Sequence, residues 1–121
     1  YRVKQCLATS FKQGTADGFL RKAHDPAMGG DPSRQLAKWK VVLDPRGAGD
    51  ARFRCKHVQY LSETHVPGEE EFLFAVFSVF TVTEVEWSDE PADPATPHRI
   101  IIEAALDNKL QPADLPLAPW C

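Results

Sequence analysis

Hydrophobic and polar positions change their period several times along this chain. From Arg2 to Ser10 (RVKQCLATS) apolar and polar residues mix in extended fashion and end at a small polar cluster, which predicts a strand. From Gly14 the period lengthens. Ala16, Phe19, Leu20 and Ala23 recur at helical spacing, with Asp17 in the first turn and Arg21, Lys22 and His24 in the last, as the helix dipole favours. This helix is expected to stop near Asp25-Pro26, and residues 25–36, with two Pro and two Gly, read as a loop. Trp39 to Leu43 reads as a strand, Pro45 to Asp50 as a turn, Phe53 to Leu61 as a weaker strand and Ser62 to Glu70 as a loop broken by Pro67-Gly68.

The run FLFAVFSVFTVTEVEW is too long for one strand and lacks helical periodicity. It is read as two strands, 71–75 and 79–87, joined near Val76 to Ser78. An acidic, Pro-rich loop (Ser88 to Pro97) leads to a last strand, His98 to Leu106. One helix followed mostly by strands, without βαβ alternation, predicts an α+β fold with an antiparallel-rich sheet or sandwich. Residues 1–106 form the expected core. The tail 107–121, with three Pro, is expected to pack over it, Trp120 being a candidate anchor.

Composition narrows the picture. A chain of 121 residues, 43% hydrophobic and 26% charged, fits one globular domain able to bury a core without metal or disulfide help. The longest apolar run, Phe72 to Phe77, is far short of the ~20 residues that span a bilayer, so no membrane partner is expected. Cys6, Cys55 and Cys121 are widely spaced and odd in number, which argues for a reducing compartment. No metal site is expected, Cys55-Lys-His57 being a poor zinc signal. Charge is lopsided: residues 1–56 hold twelve Lys/Arg against five Asp/Glu, and residues 57–121 hold two against twelve. Two readings fit, oppositely charged surfaces that attract within one fold or a ligand bound between them.

The sharpest feature is Pro67-Gly68-Glu69-Glu70-Glu71-Phe72-Leu73-Phe74. Such a Glu run is ordinarily a solvated turn, yet this one leads directly into a very apolar strand, where charge is awkward. In extended chain Glu69 and Glu71 share a face ~7 Å apart, and two such charges repel by roughly 2 kcal/mol unless a cation lies beside them.

These residues resemble the Glu-x-Glu segment of arginine-directed mono-ADP-ribosyltransferases, as in clostridial binary actin toxins and vertebrate ecto-enzymes. In that family a Glu-x-Glu ends a mobile loop and its second Glu opens an apolar strand. Glu69-Glu70-Glu71-Phe72-Leu73-Phe74 fits this, Ser78 to Val82 follows as the next strand does, and Leu61-Ser62 resembles the start of the loop. Upstream, Leu7-Ala8-Thr9-Ser10, Ala16 and Phe19 match a strand ending Ser-Thr-Ser and the helix after it. The likeness covers about residues 5–24 and 57–106.

The resemblance implies an ADP-ribosyltransferase-like two-sheet core with one main helix. It further implies NAD as substrate, and transfer of ADP-ribose to a protein side chain, arginine in this family's pattern. Glu71 would stabilise the oxocarbenium-like cation; a carboxylate ~4 Å from it is worth about 4 kcal/mol, roughly a thousandfold in rate. Glu69 would orient or deprotonate the acceptor, Thr9 and Ser10 would brace Glu71, Phe19 would stack on nicotinamide, and Arg21 or Lys22 would reach a phosphate. Two departures stand out. Ala8 replaces the first Ser, and the family's upstream motif Arg corresponds only to Arg2, or to Arg46, Arg52 or Arg54, or to a strand absent from this chain. They leave two rival readings, a catalytically degenerate protein-interaction module and an NAD glycohydrolase. Family habit implies an effector or toxin acting in a cytosol, after secretion into a host cell. No phosphate-loop or serine-nucleophile signature appears, and the acidic second half disfavours nucleic acid.

Overall fold

The computed structural model of the protein describes residues 1–43, 58–61 and 70–118, the segment 58–61 by its backbone alone. The expected turn at 45–50, most of the loop before Glu70, and Glu69, Arg46, Arg52, Arg54 and Trp120 lie outside the described residues. The fold is α+β. Among the described residues one α-helix, α1 (Gln13–His24), accompanies seven strands: β1 (Arg2–Val3), β2 (Leu7–Ser10), β3 (Ala37–Val42), β4 (Val58–Leu61), β5 (Glu71–Phe74), β6 (Ser78–Glu86) and β7 (His98–Ala104). They form a four-stranded sheet ordered β1-β6-β7-β3 and a three-stranded sheet ordered β2-β5-β4. All pairs are antiparallel except β3 with β7. A parallel pair needs a long crossover, which the chain between Val42 and His98 supplies.

The two sheets face each other over a small core. Val3, Phe80, Ile102 and Ala104 of the larger sheet meet Phe74 of the smaller one, with Leu7 and Ile100 packed at the margin. The Phe74 and Phe80 rings meet edge to face, 5.1 Å between centroids, and this contact joins the sheets. Apart from Ala104, each such buried side chain contributes about 1.5–3 kcal/mol from burial, and the ring pair about 0.5–1.5 more.

The segment Arg2 to Ser10 is two strands in different sheets, not one. Lys4, Gln5 and Cys6 are all exposed and carry the chain across. β1 pairs with β6, while the C-terminal tail lies along its other edge. Arg2 N–H donates to Pro116 O, Ala118 N–H donates to Arg2 O, and Ala118 is buried in the core. Covering that edge blocks further strand pairing.

β5 and β6 are joined through Ala75–Phe77, with Phe77 in the left-handed region at φ 62°. The Ser78 hydroxyl closes the turn on Ala75 O at 2.7 Å. β6 is buried on both faces at Ser78–Phe80 and exposed from Thr81 onward. Only its first residues lie between β1 and β7.

Helix α1 begins at Gln13, so Asp17 lies beyond the first turn, where the sequence pattern had put it. Its carboxylate pairs with Lys38 of β3 instead. Basic residues fill the last turn as expected, and Asp25 ends the helix by donating its N–H to Arg21 O. The next loop folds back tightly. Gly30 lies so close to the helix end that a Cβ there would come within 2.5 Å of Ala23 O, so only glycine fits. Beyond it the Ser33 hydroxyl and N–H hold the Asp31 carboxyl below the usual carboxylate range.

Candidate functional site

Glu71 is the first residue of β5, and β5 is the central strand of the smaller sheet. Its register with β2 sets Ser10 opposite Glu71, Thr9 opposite Phe72, Ala8 opposite Leu73 and Leu7 opposite Phe74. Directly opposed residues share a sheet face and successive ones alternate. Leu7 and Phe74 face the core, so Thr9 and Phe72 do too. Ser10, Glu71, Ala8 and Leu73 face outward. Ser10 is therefore the neighbour of the Glu71 side chain. Thr9 acts at one remove: its hydroxyl donates to Phe72 O at 3.2 Å and ties β2 to β5 next to Glu71.

Glu71 is half-buried and has no ion-pair partner among the described residues. Just before it, Glu70 adopts φ 47°, in the left-handed region. That conformation costs a residue with a Cβ roughly 1–2 kcal/mol. It is held by two contacts: Phe11 N–H donates to Glu70 O at 3.3 Å, and Lys12 Nζ lies 3.3 Å from the Glu70 carboxylate. The extended alternation expected to place Glu69 and Glu71 on one face is interrupted at Glu70. Glu69 itself is outside the described residues.

Phe11, just past β2, is largely exposed and sets its ring edge to face against Phe72 at 4.3 Å. The Ser10 hydroxyl accepts the Lys12 N–H and turns the chain into α1. The sequence requirement at this corner is local: a small hydroxyl residue to make the turn, then a helix.

The remaining expected site residues do not gather around Glu71. Arg2 lies at the other end of β5. Its guanidinium donates to Phe77 O at 3.4 Å and Pro112 O at 2.8 Å, so it fastens the β5–β6 turn to the tail. Phe19 is 56% exposed, with Lys22 Nζ 5.5 Å from its ring centre. Arg21, two residues on, is turned roughly 160° away around the helix, on the opposite flank.

Arg21 instead borders a cleft of about 370 Å³ between α1, the outward face of the larger sheet and the loop before β7. Gln13, Asp17 and Arg21, four residues apart, line it from the helix. Lys38 of β3 and Arg99 of β7, paired in register, form its floor, and Asp93 and Pro97 close the far side. The sequence carries no sign of this cleft. Its basic floor comes from two single residues far apart in the chain, Arg99 inside the run read as the last strand and Lys38 just before the run read from Trp39.

No family model, no curated protein sequence and no solved structure matches the chain.

Proposed function

We propose that the chain transfers ADP-ribose from NAD to a protein side chain, with an arginine guanidinium as acceptor and Glu71 as the central carboxylate. One observation carries the reading: Glu71 and Ser10 are register partners on adjacent strands, share the outward face, and leave the carboxylate half-buried without an ion-pair partner among the described residues. In this mechanism the bond from ribose to nicotinamide breaks and nicotinamide leaves with the electron pair. Glu71 stabilises the oxocarbenium-like sugar, a guanidinium nitrogen bonds to the anomeric carbon, and Glu69 accepts the proton that nitrogen loses. Ser10 orients Glu71. A reducing cytosol and a target protein follow from the same reading.

The test is release of nicotinamide from NAD, and label transfer to protein, for wild type and Glu71→Gln. Loss of one charge at unchanged shape is expected to slow turnover about a thousandfold. Equal rates in the two proteins would dismiss Glu71 as the catalytic residue. Release without transfer to any protein would make the chain a glycohydrolase.

A second reading is an NAD-independent interaction module built on the same frame. What favours it is Arg2, whose guanidinium is spent on the Phe77 and Pro112 carbonyls, together with Ala8 where the family pattern has Ser. Absence of NAD binding at millimolar concentration would select it.

A further inference from the structure

The cleft beside α1 is unrelated to Glu71 in its placement. Glu71 and Ser10 face outward from the three-stranded sheet, whereas Lys38 and Arg99 face outward from the four-stranded sheet, on the other side of the core. Three cationic side chains converge in this cleft: Arg21, Lys38 and Arg99. Lys38 is neutralised there, since its ammonium is bound to Asp17 and both side chains are half-buried. The other carboxylate, Asp93, is engaged in its own turn, where Oδ1 accepts the Ala95 N–H at 2.8 Å. Arg99 reaches only Glu86, at 3.6 Å, with both side chains more than 60% exposed. An exposed pair of this kind holds weakly and yields easily to a better partner. Arg21 has no ion-pair partner among the described residues. Two guanidinium groups are thus left to face one space without a committed anion.

The walls of that space are set before any ligand arrives. Thr96 N–H donates to Asp93 O at 3.0 Å and Asp93 N–H to Glu90 O at 3.1 Å; the Thr96 hydroxyl also reaches Glu90 O at 3.1 Å. Leu36 N–H donates to Pro91 O at 2.8 Å, which ties the loop to the start of β3. Pro97 is buried and gives the cleft a rigid apolar side. A volume of about 370 Å³ falls in the range of small-molecule sites. A preformed, partly apolar cleft with two guanidinium groups, Arg21 unpaired among the described residues and Arg99 in a weak exposed pair, is complementary to a phosphate ester of roughly nucleotide size, because guanidinium binds phosphate oxygens bidentately.

We propose that this cleft binds a small phosphate ester, with Arg21 and Arg99 as the phosphate ligands, the Asp17–Lys38 pair as a fixed floor and Pro97 against the organic body. The site is independent of the NAD reading. Its test uses the full chain and two probes, adenosine monophosphate and inorganic phosphate, followed by calorimetry and by amide NMR shifts. Adenosine monophosphate is expected to bind, with shifts at Arg21, Arg99 and Thr96, and Arg21→Gln and Arg99→Gln are each expected to weaken it at least about tenfold. Inorganic phosphate binding at the same residues with equal affinity would assign the site to a free anion and overturn the ester. Affinity unchanged in both variants would overturn the site. Displacement of adenosine monophosphate by NAD, with shifts that extend to Ser10 and Glu71, would merge the cleft with the Glu71 site and overturn its independence. Loss of Glu71-dependent turnover with the cleft still binding would remove only the transferase reading.

Discussion

The two ends of β5 hold charge in opposite ways. At the Phe74 end the chain closes on itself: the Arg2 guanidinium bonds two backbone carbonyls, the Ser78 hydroxyl bonds Ala75 O, and Asn108 Oδ1 accepts the Val79 N–H. At the Glu71 end the strand opens to solvent. Glu70 adopts a left-handed conformation beside the surface Lys12, and Glu71 follows with its carboxylate unpaired among the described residues. One short strand thus lies between a structural charge and one left available. A charged group whose hydrogen bonds all go to the protein's own backbone answers to stability, and its removal should be read in melting. One set on a rigid strand without a partner is free to meet a ligand, and its removal should be read in chemistry.

Both ends depend on the packing between them. Phe80→Ala removes the ring that meets Phe74 and leaves a cavity between the sheets, at an expected cost of about 3–5 kcal/mol. Chemical denaturation would measure it, and hydrogen exchange would show protection falling together in β2 and β6. Protection retained in β2 while β6 opens would mean that the two ends are not one cooperative unit, and the comparison would lose its common frame.

Arg2→Ala sharpens the contrast with a smaller effect. It removes two charge-assisted hydrogen bonds that link β1, the β5–β6 turn and the tail, and is expected to cost about 2 kcal/mol. The measurement pairs a melting curve with the NAD concentration dependence of the turnover proposed above. A lowered melting temperature makes Arg2 a fastener. An unchanged one, with a raised KM for NAD, would instead return Arg2 to the ligand-binding role that the family likeness implies.

Much of this frame is legible in residue order. The apolar run divided near Val76 to Ser78 marks β5 and β6 to within a residue, and the basic last turn with Asp25-Pro26 marks the end of α1, because these signals are local. The division of Arg2–Ser10 into two strands is not legible, since it depends on the pairing of Arg2 with Val79 and Leu117, far along the chain. Nor is the parallel pairing of β3 with β7, which alone brings Lys38 beside Arg99. At the candidate site the sequence pattern indicates Glu71 and the residues around Ser10. The register decides which of them share a face, and it selects Ser10 over Thr9.

The smallest expected effect probes the open end directly. Lys12 and Glu70 form an ion pair with side chains 47% and 44% exposed, a setting in which solvent screening leaves little net energy. Lys12→Met is therefore expected to change stability by less than about 0.5 kcal/mol. What holds the Glu70 backbone would then be the Phe11 N–H and the register of β2 with β5, not the lysine. Differential scanning calorimetry on Lys12→Met beside Arg2→Ala gives the ratio of the two effects at one strand's opposite ends. A loss at Lys12 as large as that at Arg2 would mean that the Glu71 end is fastened by charge as well, and a carboxylate in such a fastened end would be a structural group before it was a chemical one.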